Sequence, residues 1–249
     1  MSNVSSPVAA SDPASLYLRV RQLEGRLFAD DVVARLPNLK PGEPFYAEWR
    51  ARGASAGRLV RYLSRWSTPP CVLDLGCGNG WLSARLTKLA GCRVWGIDTN
   101  SLELGQAARV FHDPHVSFVE CDIESAPFPE ATFDAVVIAS AIQYFADPAS
   151  LFSKLRPLLA QGGEIHVLDS PIYQPDQVAA ARARTRAYYH DLGVPEMADR
   201  YHHHTTGVLN DLDGLDATWL YNPGALASRL RGRVTRTAPP FPWLRFKSR

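Results

Sequence analysis

Asp74, Gly76, Gly78, Gly80 and Asp98 are the residues whose types and spacing carry chemistry in this chain. Glycines at alternate positions let a ligand approach the backbone where a Cβ would collide with it. The dinucleotide fingerprint G-x-G-x-x-G needs its third glycine at position 81, where Trp81 stands, and no Gly-Lys-Ser/Thr phosphate loop occurs. Asp74, two residues before the first glycine, repels a pyrophosphate at close range in a low-dielectric crevice and attracts an ammonium. The ligand these residues imply has a ribose for Asp98, no phosphate beside Asp74, and a cationic end at the glycine turn. S-adenosylmethionine meets all three requirements.

The surrounding pattern supplies the elements that hold these residues. Cys71 to Leu75 is a short apolar run of strand type, residues 81–89 are helix-compatible, and residues 93–97 form a second strand ending on Asp98. The unit is β-α-β, with carboxylates at strand tips, and in open α/β sheets those tips line the ligand crevice.

In order along the chain, Asp74-Leu-Gly-Cys-Gly-Asn-Gly80, Gly96-Ile-Asp98, Glu120-Cys-Asp122-Ile, Phe133-Asp-Ala-Val-Val-Ile and Leu158-Leu-Ala-Gln-Gly-Gly163 follow one another. Over roughly residues 45–170 this series resembles the motifs of class I S-adenosylmethionine-dependent methyltransferases of the Rossmann-like, small-molecule type. The resemblance implies an α/β fold with a seven-stranded, mostly parallel sheet of order 3-2-1-4-5-7-6, its last strand antiparallel. It also implies roles. Asp98 takes the ribose hydroxyls, Asp122 and Ile123 lie beside the adenine, and Asp74, Gly76, Cys77, Gly78, Asn79 and Gly80 face the methionine moiety. Thr99 and Ala139 complete the expected cofactor-binding set.

Composition bounds the rest. With 249 residues and 46% hydrophobic composition the chain has enough apolar material for one sizeable α/β domain. Lys plus Arg (27) nearly balance Asp plus Glu (25), so a net charge of +2 gives no field that draws in nucleic-acid backbones. The four cysteines form no C-x-x-C pair and read as reduced core thiols. No basic N-terminal region precedes an apolar run, and no stretch approaches the roughly 18 apolar residues of a membrane span. A soluble cytoplasmic protein without a membrane or nucleic-acid partner is expected; the oligomeric state stays open.

Residues 1–14 are small, polar and proline-punctuated, and are expected to be a disordered tail ahead of a single domain over residues 15–249. Helices are expected over residues 15–36 and 46–66, forming an N-terminal extension over residues 15–66. The cofactor-binding core follows over residues 71–170. Asn100 and Asp147 read as helix caps. Residues 171–221 form an insertion too long for a connector, expected as a lid over the acceptor, with an amphipathic helix over residues 177–192 ended by Gly193. Residues 222–249 are expected to give a helix from Asn222 to residue 231 and a hairpin of strands over residues 234–237 and 243–247.

The acceptor is read from the tip of the fourth strand, residues 140–145. Neither the Asn/Asp-Pro-Pro-aromatic motif of amino-methylating nucleic-acid enzymes nor a catalytic Pro-Cys stands there. Gln143 and Tyr144 remain as pocket residues, with Tyr46, Tyr173 and Tyr201 as further substrate-binding candidates. Catalytic candidates are Tyr144 and one of His202, His203 and His204, since imidazole takes a proton near neutral pH. No metal is expected, because consecutive residues on a helix point about 100° apart and cannot share an ion. The reading is methyl transfer from S-adenosylmethionine to an oxygen or nitrogen of a small molecule. Its alternatives are a tRNA or RNA methyltransferase and a non-catalytic S-adenosylmethionine-binding regulator. A nicotinamide-dependent oxidoreductase needs a pyrophosphate tolerated beside Trp81 and Asp74.

Overall fold

The computed structural model describes residues 13–224 and 240–249. In chain order the elements are α1 (Pro13–Leu23), α2 (Asp30–Val33), α3 (Tyr46–Leu63), β1 (Cys71–Leu75), α4 (Trp81–Leu86), β2 (Arg93–Asp98), α5 (Ser101–Val110), β3 (Val116–Glu120), β4 (Phe133–Ala139), α6 (Pro148–Leu155), β5 (Leu159–Leu168), α7 (Val178–Asp191), α8 (Thr206–Asn210), β6 (Leu215–Tyr221) and β7 (Trp243–Ser248). The strands make one sheet of order β3-β2-β1-β4-β5-β7-β6. Strands β1 to β5 pair in parallel, and β7 runs antiparallel to both β5 and β6. This is the expected Rossmann-like order.

Alternation along the strands explains why helices cover both faces. Val136 and Ile138 of β4 pack into one apolar cluster with Phe152, Leu155 and Phe246, whereas Ala135 and Val137 join another with Leu59, Leu63 and Trp243. Side chains two apart share a face, so a strand apolar at every position needs a cover on each side. β1, buried along its whole length, lies inside the sheet between β2 and β4 and carries its tip to the ligand end.

Local chemistry fixes the helix starts. Asn100 Oδ1 accepts from the Leu102 and Glu103 amides at the head of α5, and Asp147 caps α6 with Pro148 at its first position. Gly193, at φ +80°, ends the segment after α7 as expected.

Two expectations require correction. Residues 15–36 are not one helix: the chain leaves α1 through Gly25, at φ +67°, and resumes only in the single turn of α2. A left-handed glycine terminates a helix that apolar spacing alone would continue. The strand beside β7 is β6, drawn from residues assigned to the insertion, so Trp219 and Tyr221 belong to the sheet and not to a lid. The intervening segment therefore ends at residue 214. The expected strand over residues 234–237 and most of the helix from Asn222 lie outside the described residues, as does most of the expected tail. No described helix is long and apolar enough to cross a membrane.

Candidate cofactor and acceptor site

The turn after β1 is built on positive backbone angles at Gly76 (φ +73°), Gly78 (φ +51°) and Gly80 (φ +75°). The Gly76 and Cys77 amides both donate to the Ile97 carbonyl, at 2.9 and 3.1 Å, which anchors the turn to the end of β2. Asp98 then ties it down: one carboxylate oxygen accepts from the Gly78 amide at 2.8 Å and the other from the Asn100 amide at 2.9 Å. A Cβ on Gly76 would lie 2.7 Å from the Ala141 Cβ, so the β4 tip presses closely on the turn.

Three carboxylates stand near this turn, Asp74 and Glu103 buried and Asp98 half-buried. Asp74, 1% exposed, accepts from the Ser83 hydroxyl at 2.6 Å. Glu103, on the first turn of α5, accepts from the Asn100 side-chain amide at 3.4 Å, and its carboxylate stands 3.3 Å from where a Gly78 Cβ would be. Arg21 approaches Glu103 at 3.9 Å. Burial pushes Asp74 up to about 7, against the Ser83 hydrogen bond, and the Asp98 charge adds to the rise. Burial likewise raises Glu103 to about 7, with Arg21 opposing. Asp98 is also raised by burial, while the amides of Asn100, Gly78 and Thr99 hold it down. Such a cluster favours a cation as its neighbour.

A cavity of about 790 Å³ opens from the turn. Gly76, Gly78, Asp98 and Thr99 line one wall, Cys121, Asp122 and Ile123 another, and Ser140, Ala141 and Tyr144 to Asp147 a third, with Tyr17 and Met197 closing over it. Its size falls in the range of small-molecule and cofactor sites, about 300–1,000 Å³. Asp122 caps the short 3-10 turn of Ile123–Ser125 by accepting from the Glu124 amide, which holds Ile123 at the rim. The crevice suits S-adenosylmethionine on the donor set alone: a carboxylate for the ribose, a glycine backbone open to close approach, and the Glu103 carboxylate beside Gly78 to favour a cationic group.

A second cavity of about 370 Å³ adjoins the first across Tyr144, which lines both. Its walls are α1, α3 and α7, contributing Arg21, Glu48, Arg52, Arg184 and Tyr189, with Tyr201 opposite. Aromatic rings run between the two spaces, Tyr17 to Tyr144 at 5.6 Å and Tyr144 to Tyr201 at 6.1 Å. Tyr144 is 39% exposed because it stands between cavities, yet its enclosure by protein still raises its hydroxyl pKa, so the phenol is neutral at physiological pH.

Of the sequence candidates, Gly76, Gly78, Asp98, Thr99, Asp122, Ile123 and Tyr144 come together around the main cavity. Asp74, Cys77 and Asn79 are buried behind the turn, and Gly80 packs on Phe118 and Ala107. Ala139 packs against the core, as does Tyr46, with the Arg50 guanidinium over the Tyr46 ring. Gln143 is buried and donates to the Ser140 carbonyl at 2.6 Å. Tyr173 bridges to Thr205 and lies against His203. The histidines do not line the main cavity. The His202 amide donates to the Gln143 carbonyl at 2.7 Å and the buried His204 ring donates from Nε2 to the Ile142 carbonyl at 3.0 Å, so the segment braces the Tyr144 turn from behind. Among the described residues no group of three or more His, Cys, Asp or Glu is placed to hold a metal ion.

Sequence reasoning missed Glu103, Tyr17, Arg21 and Asp169. The signal for Glu103 was its place three residues after the cap Asn100, in the first turn of a helix that starts at the crevice. Asp169 and Ser140 both take positive φ, +55° and +56°, at adjacent strand tips, and the Ser140 hydroxyl donates to the Asp169 carbonyl at 2.8 Å. The Asp169 carboxylate accepts from Ser55 at 2.6 Å and is pushed up to about 6 by burial. Non-glycine residues in this region carry a conformational cost and cluster at functional sites.

The raised acids give a pH prediction. Below about 7 Asp74 and Glu103 hold protons, and a cation binds the ionised form, so cofactor binding releases protons there. S-adenosylmethionine affinity should rise as pH increases from 6 to 8, by up to about tenfold per unit for one linked proton, and flatten above that. Asp74→Asn should flatten part of this profile. Calorimetry in buffers of different ionisation heat counts the protons; a pH-independent affinity would show that no buried acid faces the ligand.

Comparison with known proteins agrees with this geometry. Residues 72–163 match the model of a methyltransferase domain. An uncharacterized methyltransferase of Mycobacterium tuberculosis is 36% identical over 98 residues, 39% of this chain and 49% of that protein. Demethylmenaquinone methyltransferase of Thermus thermophilus is 35% identical over 126 residues, 49% of this chain and 54% of its own length. The chain spans about half the length of these curated relatives. Among solved structures, geranyl diphosphate C-methyltransferase from Streptomyces coelicolor A3(2) aligns with a TM-score of 0.63 at 17% identity, covering 97% of this chain and 99% of that one. A Mesorhizobium loti S-adenosylmethionine-dependent methyltransferase aligns with a TM-score of 0.59 at 22% identity, covering 79% and 99%. Residues 72–163 thus match a methyltransferase domain, and the chain has the fold of class I S-adenosylmethionine-dependent methyltransferases.

Proposed function

We propose that this chain transfers a methyl group from S-adenosylmethionine to an oxygen or nitrogen of a small organic acceptor. The observation that carries the cofactor assignment is the Asp98 carboxylate on the cavity wall, bonded to the Gly78 amide, with Glu103 beside Gly78, a setting hostile to a pyrophosphate and suited to a cation. When bound, the cofactor supplies an electrophilic methyl on a sulfonium.

The chain's own residues bind, orient and exclude water. Asp98 accepts from the ribose hydroxyls, Ile123 and Asp122 bound the adenine, and the glycine turn lets the methionine moiety lie against the backbone. The tyrosine-lined chamber beyond Tyr144 holds the acceptor, with the neutral Tyr144 hydroxyl available as a donor to it. His202 and His204 act on this turn by positioning it, through their bonds to Gln143 and Ile142. We read residues 15–249 as one domain in which the segment from 171 to 214 forms one side of the chamber. A cytoplasmic location accords with four free cysteines.

Small acceptors are supported by the size of the chamber and by the relatives, whose names give quinone and sterol methylation. Those names also favour a second reading, transfer to carbon, since one relative is a sterol 24-C-methyltransferase, 31% identical over 120 residues. Incubation of the protein with methyl-labelled S-adenosylmethionine and fractionated cell extract tests both. Label should enter small molecules rather than RNA, and the carbon shift of the product methyl separates O-, N- and C-methylation. Label confined to RNA would overturn the acceptor class, and no transfer into any fraction would favour a non-catalytic binder.

A further inference from the structure

Behind the Tyr144 turn lies a third cavity of about 240 Å³, which shares Tyr201 with the chamber beyond Tyr144. Arg182 and Arg186 line it from α7, His202, His203 and His204 from the opposite segment, and Asp199 is its one carboxylate. We infer that this cavity binds a phosphate-type dianion.

The lining carries more positive than negative charge. Arg182 and Arg186 are four residues apart, on one face of α7, where like charges destabilise a helix. Among the described residues neither guanidinium has a carboxylate within 4.0 Å. Both line the same cavity as the imidazoles, and Arg182 acts on His202 and His203. His203 Nε2 shares a 2.9 Å hydrogen bond with the Thr185 hydroxyl, and its ring lies in tilted contact with Tyr173 and Tyr201 at 5.4 and 5.3 Å, so it is held in place. Burial lowers the pKa of His202 and His203, and the positive Arg182 lowers both further. The groups facing these rings are Arg182, Thr185 and Arg186 from α7, Asp199 and Tyr201 from the segment before them, Tyr173 behind, and Asp147 beside His204. Asp199 is the one acid lining the cavity, against two arginines and the imidazoles. An oxyanion of charge −2 pairs with the guanidinium forks and draws protons onto the imidazoles.

The seat is coupled to the main crevice. Ala146 lines both cavities, and the His202 amide is bonded to Gln143, one residue from Tyr144. The dianion arrives either as free phosphate or as the phosphate group of an organic molecule.

Carbon-edited NMR of the imidazole signals in the full-length chain tests this inference independently of methyl transfer. The probes are inorganic phosphate, phenyl phosphate, and sodium chloride at matched ionic strength. Phosphate should shift the His202 and His203 signals saturably and raise their pKa values, and an R182Q/R186Q double variant should bind it roughly tenfold or more weakly. Both arginines are exposed, so the variant should fold, with S-adenosylmethionine affinity near the parent value as the check. Phenyl phosphate binding more tightly than inorganic phosphate would identify an organic phosphate as the source; equal affinity would identify the free ion. A response matched by chloride, or one unchanged in the double variant, would overturn the site.

Discussion

Asp98→Ala is expected to weaken S-adenosylmethionine binding by roughly 10-fold to 100-fold or more. The carboxylate has two functions that alanine cannot serve. It presents acceptor oxygens to the ribose, where a charge-assisted hydrogen bond contributes about 1.5–3 kcal/mol. It also holds the glycine turn by accepting from Gly78 and Asn100. With the side chain gone, the Gly78 amide loses its partner beside the ligand, so the turn loosens as the direct contact disappears. Asp98→Asn separates the two effects, because it keeps one oxygen for a single amide while removing the charge. Calorimetry should rank the affinities parent, Asn, Ala. An alanine variant that binds as tightly as the parent would remove Asp98 from the site.

The largest expected effect on stability falls at Gly80. Its φ of +75° is a conformation that costs an L-residue about 1–2 kcal/mol. A Cβ there would also lie 2.6 Å from the Phe118 ring and 2.7 Å from the Ala107 methyl, inside the packing of α5 and β3. Overpacking of this kind costs about 1–3 kcal/mol, so Gly80→Ala should lose about 2–5 kcal/mol in urea unfolding. Gly162 is the control. Its φ is +78° but nothing lies within 4 Å of the added Cβ, so Gly162→Ala should show only the conformational cost, about 1–2 kcal/mol. Equal losses at the two positions would mean that the Gly80 contacts carry no weight.

The sheet order was legible because β1, β2 and β4 have apolar runs bounded by turns, and because the resemblance supplied the order of the rest. The glycine turn and Asp98 were legible from residue type alone. What local pattern missed was decided at long range. Leu215–Tyr221 reads as an aromatic stretch of a lid until β7 pairs with it, since an edge strand declares itself only through its partner. Glu103 resembles any first-turn helix acid until the fold lays it under Gly78. The histidine triplet drew attention by composition, yet its backbone bonds to the Tyr144 turn, not its side-chain chemistry, set its relation to the crevice. Tyr17 reaches the site from α1, far away in sequence, and no spacing rule connects it to Tyr144.

The central claim is that the crevice between Gly76 and Ile123 accepts S-adenosylmethionine and rejects a dinucleotide. Calorimetric titration of the full-length chain with S-adenosylhomocysteine, S-adenosylmethionine and NAD tests it most directly. The account predicts saturable one-site binding of the first two, weakened together in Asp98→Ala, and no heat from NAD. Tight NAD binding that S-adenosylhomocysteine fails to displace would contradict it.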